Sequence, residues 1–357
     1  MIIFARALVG AGSIDGMSGE GTSLGSGFYA GQLRRELSVR NRAWARGRAH
    51  VESYGGEPVI VYSPEDDRHG NFFDPAYAAI LARPDWMRRL KKAHTGRRTL
   101  PRSERPWCEL DSSTSSDALL MSVFCTPGVL DSATVRDFLG LDGDADAVFG
   151  WKARVPLKNG RTDTTEVDLR LGPLLIEAKL TEADFQTRAA SVVEGYRDFE
   201  EVCAPDLLPR VALREERRRI PAEFAEAYTQ EWEETGGTPD PDAAAIACEY
   251  QAALVEQAWQ AAPAIPAYAS YQLIRNVLAA YAHGCSFCVL HDERRPDLRE
   301  AWFSVMSAVT SAEMRARLKV LTWQELVTVL PDDLQEFLNL KYGIVAPGRF
   351  ASEVPAD

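Results

Sequence analysis

Apolar and polar positions alternate most regularly between residues 147 and 180. Three strand-like runs follow one another there, AVFGWKARVPL, TTEVDLRLG and PLLIEAKL, broken by NGR at 159–161 and by Gly172-Pro173. Upstream, DSSTSSDALLMSVFC opens on serines and a threonine and carries Leu119, Leu120, Val123 and Phe124 at helical spacing, which predicts a capped, half-buried helix. Downstream, TEADFQTRAASVVEGYRDFEEV reads as helical. After a break come a helix over YASYQLIRNVLAAYAHG, a strand over SFCVLHDE and a strand-turn-helix over LKVLTWQELVTVL. This order predicts an α/β fold, a mixed central sheet flanked by helices.

Punctuation divides the rest. Residues 1–27 are rich in Gly, Ser and small polar residues and read as a flexible lead-in, and residues 28–105 as a basic helical extension. The core is expected over 106–345. Prolines at 205, 209, 221, 239, 241, 263 and 266 mark a helical insert at about 205–266, and 346–357 form a tail.

The turn at Gly172-Pro173 sets the geometry that matters most. A two-residue loop places Leu171 opposite Leu174, hence Asp168 opposite Glu177 and Glu166 opposite Lys179. Because side chains alternate, Glu166, Asp168, Glu177 and Lys179 should share one face, and Val167, Leu169, Leu171, Leu174, Ile176, Ala178 and Leu180 the other. Two carboxylates directly across a ladder repel each other, a conflict that a divalent cation between them would relieve. The plainer alternative is an amphipathic hairpin whose polar face meets water, with Glu166 and Lys179 as a cross-strand ion pair.

Charge then changes the picture. The 357-residue chain carries a net charge of −12, unlike most proteins that grip phosphates. The average hides an asymmetry, because residues 30–105 carry about +7. Arg88, Arg89, Lys91, Lys92, Arg97 and Arg98 cluster near its end and are candidate nucleic-acid contacts; the alternative is a solvated helix face.

The segment TEVDLRLGPLLIEAKLTEADF resembles the active-site signature of the PD-(D/E)XK nuclease superfamily, to which many bacterial restriction endonucleases belong. Asp168 matches the first acid and Glu177-Ala178-Lys179 the (D/E)XK; the usual Pro is replaced by Val167. With the SSTSSDALLMSVF helix before and YQLIRN after, the resemblance covers roughly residues 105–345 outside the insert. It implies a restriction-endonuclease-like core that hydrolyses phosphodiester bonds, with Mg²⁺ or Mn²⁺ held by Asp168, Glu177 and the Ala178 carbonyl, and with Lys179 beside the attacking water. In such folds an acid from the first helix approaches the metal, which makes Glu109 a candidate. Polar residues of the later helix, here Gln272 and Arg275, reach the site or the polymer. DNA is the expected partner and RNA stays open. A two-fold target would favour a homodimer. The competing reading is an inactive nuclease-fold protein that binds nucleic acid or a protein partner.

Other signals weigh less. Cys285 and Cys288, near His283 and His291, have the spacing of half a zinc site but equally suit a buried strand. His69 lacks a partnered Ser or Cys in the sequence, and Gly10, Gly12 and Gly16 lack the βαβ unit of a dinucleotide loop. Six irregularly spaced cysteines, no apolar run long enough to span a bilayer and no secretory signature lead to a cytoplasmic expectation.

Overall fold

The structure is a computed structural model that describes residues 24–53, 58–94, 100, 105–213 and 264–352. The helices of the described residues that matter most here are α1 (Leu24–Trp44), α2 (Asp74–Ala82), α3 (Pro84–Arg89), α4 (Ser116–Phe124), α5 (Tyr271–Ala282), α6 (Pro296–Ala308) and α7 (Asp332–Tyr342). They surround a sheet of five strands, β1 (Ala147–Lys152), β2 (Glu166–Leu171), β3 (Leu174–Ala178), β4 (Ser286–His291) and β5 (Leu318–Thr322), in the spatial order β5-β4-β3-β2-β1. Strands β1, β2 and β3 form an antiparallel meander, whereas β4 runs parallel to both β3 and β5. Parallel neighbours need a crossover, and α6 supplies the one between β4 and β5. The mixed α/β architecture is therefore as expected.

Each face of the sheet carries a core. On one, Leu169, Leu171, Leu174, Ile176 and Ala178 pack with residues of α1, α2, α4 and α7. On the other, Leu175, Phe287 and Val289 pack with α5 and α6. All five residues of β3 are buried, the usual fate of a central strand covered by helices on both sides. The hairpin face that bears Glu177 and Lys179 is thus roofed by α5 rather than open to water. Val167 also departs from its expected face and joins the α5 core, next to a β1 strand kinked at Gly150, where φ is +62°.

Residues expected as a separate basic extension are built into the first core, where Leu33, Leu37, Phe72 and Tyr77 pack with the sheet residues. Helix α1 starts at Leu24, inside the stretch expected as a lead-in. Helix α4 is capped as predicted, Ser115 Oγ accepting the Ala118 N–H at 3.2 Å, but everything from Asp117 to Phe124 is buried, not only one stripe.

The helix expected over 181–202 is replaced by loop, a two-residue strand at Arg188–Ala189 and two four-residue helices, Ala190–Val193 and Phe199–Val202. The cause is competition for the backbone. Arg295, with no exposed surface, takes the carbonyls of Leu180, Glu182 and Ala183, and the Asp184 carboxylate takes the Gln186 N–H. Strand Arg210–Leu213 pairs with Ile265–Tyr268, so the two ends of the expected insert lie side by side. Residues 214–263, where its helices were expected, are outside the described residues. Among those described, no helix is long and apolar enough to cross a membrane.

Candidate active site

The hairpin positions the first group of side chains. Leu171 pairs with Leu174 and Leu169 with Ile176, the register that the Gly172-Pro173 turn predicted. Gly172 has φ +53°, a region that glycine reaches without the penalty a Cβ brings. That register brings Asp168 beside Glu177, and Asp168 Oδ2 accepts the Ala178 N–H at 2.9 Å. Lys179 follows immediately after β3, its own N–H donating to the Leu290 carbonyl of β4 at 2.9 Å.

The polar pairings differ from the cross-strand ion pair that alternation allows. Lys179 Nζ turns to Glu177 Oε1 at 2.8 Å, and Asn276 Nδ2 on α5 donates to Glu177 Oε2 at 2.7 Å. Glu166 instead meets Arg89 at 2.6 Å. Burial and the neighbouring Glu177 charge push the Asp168 carboxyl up to about 8. Burial alone would lower the Lys179 ammonium, but Glu177, Glu182 and Asp168 outweigh it and hold the lysine charged.

A cleft of about 450 Å³ opens over this hairpin. Asp168, Lys179, Gln272 and Glu109 all line it, so four of the expected residues come together. Glu109 stands on a 3-10 turn, Glu109–Asp111, ahead of α4. The acid that α4 itself contributes is Asp117, whose charge acts on Asp168 and which the sequence reading passed over. Asp117 is held by Arg89 at 3.0 Å and Lys92 at 2.8 Å, and these two cations, opposing its burial, keep its carboxyl below the usual range. Of two more lining side chains, Glu182 was missed, whereas Arg34 belongs to the basic residues of 30–105 weighed as phosphate contacts or a solvated helix face. Arg34 of α1 lines the cleft and donates to the Thr181 carbonyl at 2.7 Å, and Glu182 closes its floor through the Leu180 N–H at 2.7 Å and the Ser116 hydroxyl at 2.5 Å.

The basic run divides. Arg88, Lys91 and Lys92 line an adjoining cleft of about 710 Å³ and remain exposed, Arg88 bonding Asp85 at 2.6 Å. Arg89 lines the same cleft but turns its guanidinium inward, where Asp117 and Glu166 neutralise it. Gly150 leaves the space, since a Cβ at that position would collide with the Arg89 guanidinium. Arg275 is likewise turned away from any polymer: it is 2% exposed and donates to the Glu166 carbonyl at 2.8 Å. Arg97 and Arg98 lie outside the described residues.

Asp168 and Glu177 are the carboxylates that could hold a hard cation, an all-oxygen pair with Asp117 and Glu109 on the rim. Among the described residues, no group of three or more His, Cys, Asp and Glu side chains stands ready to hold a metal ion. The zinc arrangement is excluded by packing, since Cys288 faces the first core and Cys285 the second. His69 does gain a partner, Asp111 at 3.1 Å. Its other ring nitrogen accepts the Asn71 N–H at 3.2 Å, however, and both contacts are buried, so the histidine is structural.

No curated protein and no solved structure matches the chain. A family model does, over residues 38–343, a span that includes α2 to α7 and all five strands. The resemblance to restriction endonucleases read from the hairpin thus extends to nearly the whole chain, which belongs to the family described as "Restriction Endonuclease associating with ARP".

Proposed function

We propose that this protein is a metal-dependent nuclease with a PD-(D/E)XK centre, hydrolysing phosphodiester bonds in DNA as a restriction or defence endonuclease. The observation that carries the reading is an open cleft lined by Asp168 and Lys179, with Glu177 buried directly behind them, next to Asp168 across the hairpin and bonded to Lys179. The family's description supports an endonuclease and a DNA substrate, and it names ARP as an associate. The donor chemistry fits Mg²⁺ or Mn²⁺: two carboxylates, with the Ala178 carbonyl and water completing an oxygen shell. Such an ion supplies charge for the phosphate and acidifies a bound water.

The chain's own residues do the rest. Lys179, kept charged by the surrounding acids, offers ammonium hydrogens to the phosphate or to the attacking water. Gln272 presents an amide to the cleft, and Arg34 and Lys92 give its rim the positive charge a phosphate backbone needs. Lys91 and Arg88 extend that charge into the adjoining cleft. A two-fold-symmetric target would require a second copy of the chain.

One observation favours the alternative, an inactive binder: both Glu177 oxygens are already occupied, by Lys179 and by Asn276. The experiment that separates the two is incubation of wild type and Lys179→Ala with plasmid, linear duplex, single-stranded DNA and RNA, each in Mg²⁺, Mn²⁺ or EDTA. The nuclease reading expects metal-dependent cutting that Lys179→Ala loses, and the substrate cut names the polymer. No cutting of any substrate, or equal cutting by the variant, overturns it.

A further inference from the structure

Glu177 is clamped from two sides, and only one clamp belongs to the hairpin. Lys179 reaches Oε1 from the end of β3, whereas Asn276 reaches Oε2 from α5 at 2.7 Å. Asn276 has no exposed surface, and its Oδ1 accepts two bonds from Arg275, from Nε at 3.2 Å and from the terminal NH₂ at 2.7 Å. The same terminal nitrogen donates to the Glu166 backbone carbonyl at 2.8 Å, which ties the guanidinium to β2.

This chain of bonds has only one sense. A guanidinium is a donor with no acceptor, so the Asn276 oxygen must face Arg275 and its NH₂ must face Glu177. Turning the amide over would set its NH₂ against the guanidinium and its oxygen against the carboxylate. Adjacent residues of a helix do not ordinarily face each other, so the contact between side chains 275 and 276 is a specific arrangement and not a default of α5. Neither residue lines the cleft. Gln272 does, one turn earlier on the same face of α5.

We infer that Arg275 and Asn276 form a positioning relay that fixes the orientation of the Glu177 carboxylate for a divalent cation, by tying β2 to β3 through α5. The inference rests on the reading of Glu177 as a cation ligand. It assigns Arg275 a role inside the protein, separate from any polymer contact, and gives Asn276 a role that no motif in the sequence marks. Partners of this kind, one bond removed from a metal ligand, are worth about 10- to 100-fold in metal affinity.

The test is Mn²⁺ affinity measured by electron paramagnetic resonance on the full chain, with urea stability measured on the same samples. The variants are Asp168→Asn, Asn276→Leu, Asn276→Ser, Arg275→Met and the double variant Asn276→Leu/Arg275→Met. The relay predicts that Asn276→Leu and Arg275→Met each bind Mn²⁺ about 10- to 100-fold more weakly than wild type. It predicts that the double variant is no weaker than the worse single, because both act through one link. Asn276→Ser, small enough to admit a water that reaches Glu177, should recover part of the loss, and it serves if the leucine variant does not fold. Folded Asn276 variants that lose stability but bind Mn²⁺ as wild type would show a packing role and overturn the relay, as would additive losses in the double variant. A wild type without Mn²⁺ binding that Asp168→Asn removes would instead overturn the cation reading, and the relay with it.

Discussion

Replacing Asp168 by asparagine should stabilise the metal-free protein at alkaline pH while leaving it unchanged in acid. The carboxyl stands at about 8 because burial and Glu177 disfavour its charge, against 3.8 for an ordinary aspartate. Below about pH 4 folded and unfolded chains both hold this proton, and the variant gains nothing. Between about 4 and about 8 the unfolded chain ionises while the folded one retains the proton. Wild-type stability therefore falls as pH rises, by about 1.4 kcal/mol per pH unit, and the full penalty is reached above the folded value. Across that window the ceiling is on the order of 5 kcal/mol. Asp168 is only half-buried and faces the cleft, so water relieves part of this, and about 3 kcal/mol is the expected gain at pH 9. Asparagine keeps the shape and still accepts the Ala178 N–H. Urea unfolding of both proteins in EDTA at pH 5, 7 and 9 reads the effect directly. Saturating Mg²⁺, binding only wild type, should then close the gap, since an ion at 100 times its Kd contributes about 2.7 kcal/mol. Curves that run parallel from pH 5 to 9 would refute the assignment of Asp168 as a strained, repelled carboxylate.

Three further outcomes are expected. Asp117→Asn should destabilise the fold by about 3 kcal/mol in thermal or urea unfolding, because Arg89 and Lys92 lose the carboxylate that compensates them. Lys91→Ala should leave stability unchanged and lower the slope of log binding constant against log salt for duplex DNA by about 1, whereas Arg89→Ala should lower stability instead. Lys341, buried on α7 against Asn71 at 2.8 Å, has its ammonium pushed well below the ordinary lysine range by burial. As pH falls below 10.5 the unfolded lysine takes up a proton that the folded one refuses, and below the folded value the penalty is constant, so Lys341→Met should gain on wild type as pH falls from 10.5 and then run parallel to it in urea titrations.

The hairpin was legible because two strong local rules coincide in it. A glycine at positive φ set the turn, and period-two alternation set the register, so the neighbours of Asp168 followed from counting. What counting could not supply was what lies above the strand. Alternation marks a polar face but not whether water or a helix covers it, and here α5 covers it with Asn276 inside. Asp117 was hidden in a Ser-rich run that reads as a helix cap, and its relevance depends on Asp168 arriving from 51 residues later in the chain. Arg89 shows the same limit from the other side. In sequence it is one of several basic residues; in the fold, the carboxylates of α4 and β2 and the missing side chain of Gly150 draw it alone inward. The helix expected over 181–202 was lost to Arg295, a residue more than ninety positions away whose guanidinium occupies the carbonyls that a helix would use.

The most direct test of the central claim is a Mn²⁺ titration in which bound ion, by electron paramagnetic resonance, and strand cleavage are followed in the same samples for wild type and Asp168→Asn. If the paired carboxylates are the catalytic centre, bound ion and cleavage rise together over one concentration range in wild type, and both are absent from the variant. Cleavage that persists in Asp168→Asn, or Mn²⁺ bound equally by both proteins, would contradict it.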